Sequence, residues 1–345
     1  EIASCLVGSE MCIRDRDTFA LTTKEPAMSD DLKKLLIVMP CYNEEAVLPQ
    51  TIKVIGALLK KLIKGKKVHA DSKVCFVNDG SSDKTWALIK KAAAGERIFS
   101  GISLSRNFGH QKAIIAGMYD TDADLYVTID ADLQDDCGVI ETMLDKINDG
   151  CEIVYGVRDS RDTDTRFKKY SALAFYKLMK LLGVNIVYNH ADFRMMTRRA
   201  VNTLKQFPER NLFLRAMMPL VGFKSDKVYY DRKARPAGET KYPLMKMMGF
   251  AWSGISSFSI VPLRLVTFMG FFICFLSLCF LCFVIYRWSV RGTIVGWASL
   301  VTIITIFSGV QLVSLGIIGE YLAKIFVEVK QRPLYIVDEK TGFDD

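Results

Sequence analysis

At 345 residues the chain has room for one sizeable α/β domain with something smaller beside it. A hydrophobic share of 50% alongside a charged share of 24% implies a charged globular part joined to a very apolar one. The net charge of +8 is too modest and too dispersed for a nucleic-acid partner; it suits an anionic substrate or an anionic membrane surface. Three histidines without ligand spacing argue against zinc, and nine cysteines without paired spacing read as reduced, buried thiols.

Residues 1–27 lack strong periodicity and precede Met28-Ser29-Asp30, which reads as a start. Their run Cys5–Arg16 looks more like translated adapter sequence than a signal peptide, so they are expected to stand outside the fold. From there short apolar runs alternate with amphipathic ones. Leu35–Met39 reads as a strand, followed by a helix to about Ile63. Val74–Val77 reads as a strand before a helix near Thr85–Ala94, and Ile98–Leu104 as a strand before a helix near Gln111–Tyr119. Leu125–Ile129 and Ile153–Val157 are further strands, with a helix near Val139–Ile147 between them. Such repetition implies a mostly parallel sheet with right-handed crossovers, whose first, second and fourth strands end on acidic or amide groups at one rim. Residues 166–205 read as two helices around Asp192-Phe193-Arg194, Asn211–Val221 as a helix and Lys227–Tyr230 as a short strand. Arg232–Lys241 reads as a basic, flexible loop.

The fourth strand runs into Asp130-Ala131-Asp132. Carboxylates two apart on an extended chain point the same way, at the strand edge where open α/β sheets bind ligands. Like charges held that close call for a cation, and hard divalent metals take carboxylate oxygens. The expected occupant is Mg²⁺ or Mn²⁺ holding a diphosphate.

Leu265–Tyr286 gives 22 residues without a charge and Thr293–Gly319 gives 27, each enough to cross a bilayer as a helix. Arg287–Gly292 between them forces an antiparallel pair. Lys246, Arg264, Lys324, Lys330, Arg332 and Lys340 flank the pair, against Arg287 and Arg291 in the connection. The positive-inside bias then puts both termini and the globular domain in the cytoplasm, making a multi-pass protein of the inner or plasma membrane. Residues 242–260 are amphipathic and suit either the headgroup plane or packing on the domain. The expected division is 28–240 for the α/β domain, 241–264 juxtamembrane, 265–319 for the membrane pair (265–286 and 293–319) and 320–345 as a cytoplasmic tail.

Pro40-Cys41-Tyr42-Asn43-Glu44-Glu45, Asn78-Asp79-Gly80-Ser81-Ser82-Asp83, Ser105-Arg106-Asn107-Phe108-Gly109, Asp130–Asp135 and Asp192-Phe193-Arg194 together resemble the family 2 glycosyltransferases with a GT-A fold. Arg235–Tyr242, Ser256–Ser259, the two apolar segments, Gly319-Glu320-Tyr321 and Arg332–Tyr335 narrow the likeness to the polyprenyl-phosphate glycosyltransferases. Bactoprenol glucosyltransferases and dolichol-phosphate mannosyltransferases are the branches it resembles. The likeness spans about residues 34–337. Two departures stand out: such enzymes usually carry Asp where Asn78 stands, and often prolines where this chain has Asp136-Cys137.

The resemblance implies roles. Pro40 breaks the backbone after the first strand, so that Tyr42, Asn43 and Glu44 meet base and ribose, with Asn78 and Asp79 as further contacts. Asp130, Ala131 and Asp132 line the diphosphate, Asp130 and Asp132 hold the metal, and Gln134 stands beside them. Arg106 and Lys112 offer phosphate contacts, Lys112 reading equally well as a solvated surface residue. Arg235 and Lys241 grip the diphosphate or the lipid phosphate. Asp192 orients sugar or nucleophile, its plainer alternative being a salt bridge to Arg194. The expected reaction is inverting transfer from a nucleotide sugar, UDP-glucose first and GDP-mannose second, to polyprenyl (undecaprenyl) phosphate at the bilayer, with room left for a homo-oligomer. A processive polysaccharide synthase lacks support because Gln-x-x-Arg-Trp is missing. A nucleotidyltransferase would need a Gly-rich first loop, and a non-catalytic scaffold would not need the carboxylate cluster.

Overall fold

The computed structural model describes residues 32–158, 190–231, 259, 261–291 and 296–343. All described elements belong to the unit Leu32–Asp345. The leader 1–27, the helix expected before Asp192, the loop Arg232–Lys241 and nearly all of 242–260 lie outside the described residues.

Four strand–helix steps and a fifth strand open the domain: β1 (Leu35–Cys41), α1 (Leu48–Lys64), β2 (Lys73–Asn78), α2 (Thr85–Gly95), β3 (Phe99–Leu104), α3 (His110–Tyr119), β4 (Leu125–Thr128), α4 (Val139–Asn148) and β5 (Ile153–Arg158). After them come β6 (His190–Thr197), α5 (Arg198–Leu204), α6 (Leu214–Leu220), β7 (Ser225–Tyr230), α7 (Val261–Arg291), α8 (Trp297–Lys330) and β8 (Val337–Thr341). The strands form one sheet in the order β7-β5-β6-β4-β1-β2-β3-β8. β3, β2, β1 and β4 pair parallel, as do β5 and β7, while β6 and β8 run antiparallel to their neighbours.

The continuous apolar runs of the early strands follow from burial on both faces. Along β1, Leu35, Ile37 and Met39 face one core with Leu48, Ile55 and Leu59 of α1 and Ile140 and Met143 of α4. Leu36 and Val38 face the other, with Ile114 and Met118 of α3, Val201 of α5 and Met217 of α6. α1 shows how the pattern works locally. Leu48, Thr51, Ile55, Leu59 and Leu62 make its buried stripe, and Lys61 and Lys64 in its last turn complement the helix dipole. Each large aliphatic side chain so buried contributes roughly 1.5–3 kcal/mol before entropy is counted.

Several expectations need correction. Pro40 does not break the chain after β1; it lies within the strand, opposite Val77, and the chain turns away after Cys41. Asp192-Phe193-Arg194 itself lies in a strand, β6, between β4 and β5 in the sheet, and the second of the helices expected around it follows as α5. The alternation of β6 carries the reason: Phe193 and Met195 fill one core and Met196 the other, while the fully buried Arg194 is matched by Asp192. The helix expected over Asn211–Val221 starts only at Leu214.

α7 and α8 have the length and mean hydropathy to cross a membrane, over Val261–Arg287 (hydropathy 2.8) and Ile306–Lys330 (1.6), with none of either window buried in the protein. Helix α8 continues past Gly319 to Lys330, and its chain then returns to the sheet instead of trailing away. β8 pairs with β3, Tyr335 Oη donates to Asp120 Oδ1 at 2.8 Å, and Glu339 accepts from Trp86 Nε1 at 2.8 Å. Gly342 closes this attachment at φ +73°, where an added Cβ would stand 2.4 Å from the Phe99 carbonyl oxygen. Gly342→Val should therefore cost about 2 kcal/mol or more, from left-handed strain and overpacking together. It is read as a lower thermal midpoint; an unchanged midpoint would show that β8 is a free tail.

Candidate active site

The parallel strands β1 and β4 lie side by side although their chains lead to opposite halves of the sheet, so a crevice opens beyond their C-terminal ends. Loops after β1, β2, β3 and β4 meet there. The loops after β1 and β2 are laced together: Asn43 N donates to Ser81 Oγ (3.0 Å), Glu44 N to Thr85 Oγ1 (2.9 Å) and Ser82 N to Asn43 Oδ1 (2.9 Å). Gly80 lies against the backbone of the loop after β3. A Cβ there would sit 2.3 Å from the Arg106 carbonyl carbon, and its φ of +65° also calls for glycine. Two residues of the crevice loops, Asn43 (φ 54°) and Leu133 (φ 55°), hold left-handed backbone, a strain that persists where surrounding contacts impose it.

Several expected donor contacts are occupied within the fold. The buried Asp79 carboxylate accepts from Phe108 N (2.7 Å) and Gly109 N (2.9 Å), tying the loops after β2 and β3 together. Asn78, also buried, donates to Ser103 Oγ (3.0 Å) and accepts from Ser81 N (3.2 Å). The Ala131 carbonyl accepts from Thr51 Oγ1 at 2.7 Å, which seats the loop after β4 on α1. Tyr42 is half exposed, and the exposed Arg106 guanidinium lies 4.1 Å from the Phe108 ring centre. Lys112 stands in the first turn of α3. Arg235 and Lys241 lie outside the described residues.

The centre of the crevice is a group of carboxylates. Asp132 Oδ1 accepts from Gln134 N at 3.2 Å, closing a turn whose next residues, Gln134 and Asp135, are buried. Asp135 Oδ1 accepts from Tyr230 Oη (2.7 Å) and Arg158 Nη2 (3.4 Å), which pins the loop to β7 and β5. From β6, Asp192 accepts from Arg194 Nη2 (2.7 Å) and Arg215 Nη2 (3.2 Å). His110 Nε2 stands 3.4 Å from Asp130 Oδ1 and 3.6 Å from Asp192 Oδ2. Asp130 Oδ1 is buried and has no hydrogen-bond partner.

These surroundings set the charges. Burial raises Asp130 to about 6; His110 opposes this, while Asp192, Asp135 and Asp132 add to it. Burial acts on Asp192 too, but His110, Arg215 and Arg194 outweigh it and hold that carboxylate well below its usual range. Burial lowers His110, and the Asp192 and Asp130 carboxylates more than reverse it. A carboxylate kept ionised this strongly is a poor proton acceptor and a good orienting group.

Sequence reasoning missed His110, Arg215, Arg158 and Tyr230. His110 and Gln111 directly follow the Ser105–Gly109 motif at the same sheet rim, so extending that motif into α3 would have found His110. Arg215 is one cation in an apolar helix, and its position becomes readable only once Asp192 is known to lie in a strand.

The model of the family described as glycosyl transferase family 2 matches residues 36–205, from β1 to the end of α5. The glycosyltransferase YkoT of Bacillus subtilis (strain 168) is 49% identical over 306 residues, 88% of this chain and 91% of that one. The SfII prophage-derived bactoprenol glucosyl transferase of Shigella flexneri is 37% identical over 311 residues, 88% of this chain and 97% of that one. Among solved structures, glucosyl-3-phosphoglycerate synthase from Mycobacterium tuberculosis in complex with Mn²⁺, uridine-diphosphate and phosphoglyceric acid covers 65% of this chain and 76% of that one, at 19% identity. Its TM-score of 0.45 is too low to add to the assignment. The two relatives settle it, each aligned over nearly its whole length: the chain belongs to glycosyl transferase family 2 and is a glycosyltransferase.

Proposed function

We propose that the chain moves glucose from UDP-glucose onto a polyprenyl phosphate at the cytoplasmic face of a membrane, inverting the anomeric centre in one displacement. The acceptor and the sugar are taken from the Shigella relative, named for bactoprenol and glucosyl transfer. The two apolar helices, and the basic residues flanking them, support the membrane setting and its orientation. One observation carries the catalytic reading. Asp135 and Asp192 are matched by arginines, whereas Asp130 keeps a buried oxygen without a hydrogen-bond partner beside Asp132.

That arrangement fits a divalent cation, Mg²⁺ or Mn²⁺, held by Asp130 and Asp132 with Gln134 adjacent. Among the described residues no group of three or more His, Cys, Asp and Glu side chains is set to hold a metal, so a diphosphate would supply further oxygens. When bound, such a cation neutralises charge on the departing nucleoside diphosphate. Tyr42 and Glu44 take the base and ribose. Asn43, Asn78 and Asp79 act by shaping the loops, since their side chains are engaged there. Arg106 and Lys112 face the phosphates. A phosphate monoester, with its second pKa near ~6, is mostly a dianion at neutral pH and needs placing more than deprotonating. Asp192, kept ionised, orients the groups around it, while Arg235 and Lys241 seat the acceptor phosphate.

The decisive assay gives the membrane-embedded protein UDP-glucose or GDP-mannose with polyprenyl phosphate. Transfer from UDP-glucose into a β-linked lipid product is expected; an α-linked product would overturn the single displacement. EDTA should stop transfer, with Mg²⁺ or Mn²⁺ restoring it, and Asp132→Asn should lower kcat by roughly a hundredfold or more in a folded protein. Full activity in chelator would remove the metal from the reading.

Asp130 gives a second test with a definite sign. Its carboxyl titrates near 3.8 when unperturbed and at about 6 in the fold, so between those values the folded state holds a proton that the unfolded chain has released. Stability therefore falls as pH rises through that window, and the cost is complete above it. The side chain keeps 32% of its surface exposed, which screens part of the effect. Asp130→Asn should raise the stability of the metal-free protein at pH 7 by about 1 kcal/mol, with little gain at pH 4. Destabilisation at pH 7, measured by chemical denaturation, would show that Asp130 is a structural carboxylate.

A further inference from the structure

We propose that Glu328, near the end of the membrane helix α8, is a positioning residue for the active site, setting the turn from which Arg215 reaches Asp192. The proposal rests on the reading of the Asp192 crevice as the active site. The uncharged stretch of α8 ends at Gly319, and the helix runs 11 residues further, to Lys330. Over that extension, about 16 Å at 1.5 Å per residue, it passes from apolar surface to the catalytic domain.

There the Glu328 carboxylate takes donors from one two-residue bend. Arg210 N lies 2.8 Å from Oε2 and 3.0 Å from Oε1; Asn211 N and Nδ2 lie 2.9 and 3.1 Å from Oε1. Hydrogen bonds to a carboxylate are the stronger kind, and here they hold backbone as well as side chain. Three residues on, Leu214 N donates to Gln111 Oε1 at 3.2 Å, fixing the start of α6 to α3 next to His110. Arg215, the second residue of α6, then spans to Asp192 through Nε (3.4 Å) and Nη2 (3.2 Å). The entry into α6 is thus fixed by one carboxylate from the membrane helix and one amide from the site.

Simple attachment does not explain Glu328. The segment after α8 is already joined to the sheet by β8, by Tyr335 on Asp120 and by Glu339 on Trp86. Losing Glu328 would leave the helix tethered but the 210–211 bend free to shift, and Arg215 with it. In this arrangement the depth at which α8 sits in the bilayer bears on the pairing of Arg215 with Asp192.

The test uses the full chain in lipid nanodiscs, with UDP-glucose and polyprenyl phosphate. Glu328→Ala should lower kcat about tenfold, with the donor KM within about twofold of the parent, and Glu328→Gln, which keeps an acceptor oxygen, should recover part of the loss. The Glu328→Ala/Arg215→Ala double variant should be no slower than Arg215→Ala alone, since both changes act through one contact. Glu339→Ala, which removes an attachment elsewhere on the same segment, should lower the melting temperature and leave kcat unchanged. Parental kcat in Glu328→Ala, or losses that multiply in the double variant, would overturn the proposal. If Glu328→Ala does not fold, Glu328→Gln carries the same comparison. Full activity in Arg215→Ala would overturn the underlying site reading instead, and the proposal with it.

Discussion

Four carboxylates, Asp130, Asp132, Asp135 and Asp192, converge where β1, β4 and β6 end or pass, and the fold has to compensate their charge. It does so unevenly. Arg158 and Tyr230 engage Asp135, and Arg194 and Arg215 engage Asp192, one of those arginines fully buried. Burying an arginine is costly unless a counter-charge meets it with good geometry, so β6 can occupy the middle of the sheet only with Asp192 and Arg194 together. Asp130 faces His110 Nε2 at 3.4 Å instead, and burial still pushes its carboxyl up to about 6. The imbalance sits at the crevice between β1 and β4, where sheet topology already favours a ligand.

This pattern separates two jobs that a motif runs together. Asp130 and Asp132 sit at the crevice, while Asp135, in the same stretch, fastens their loop to β5 and β7. Asn78 and Asp79 likewise stand in a run that looks like a donor-binding loop, yet their side chains tie that loop to β3 and to the loop after it. A residue can thus serve donor binding by fixing the backbone without touching the donor.

The same physics explains what was legible in the sequence. β1 to β5 are continuous apolar runs because helices cover both faces of the sheet, and such runs announce themselves. β6 does not: His190-Ala191-Asp192-Phe193-Arg194 carries a charge pair through its middle, so its alternation is hidden unless Asp192 and Arg194 are taken as each other's partners. β8 is hidden for the opposite reason. Val337-Asp338-Glu339-Lys340-Thr341 is a polar edge strand, mostly exposed, and edge strands of that composition resist pairing with other chains. Pro40 misled because a proline within a strand usually marks an edge or an end, whereas here it precedes the last residue of a central one.

The apolar helices complete the argument from solvation. Phe268, Phe271, Phe272 and Phe275 on α7, and Leu312, Val313 and Leu315 on α8, each leave well over half of their surface uncovered by protein. At about 25 cal/mol per Å² of apolar surface, exposing such rows to water would be very unfavourable, so association with a membrane follows from the helices themselves. Both helices are also tied together close to the domain, where Tyr321 Oη donates to the Ser259 carbonyl at 2.6 Å and Val261 N to Ser259 Oγ at 3.1 Å. Beyond that point α8 meets the bend before α6 through Glu328, and its continuation re-enters the sheet as β8. The α/β domain is therefore joined to α8 and the chain after it by the Glu328 carboxylate, the strand β8 and the half-buried Tyr335–Asp120 contact. With those fixed points, the spacing between the crevice and the end of α8 is set by the fold itself.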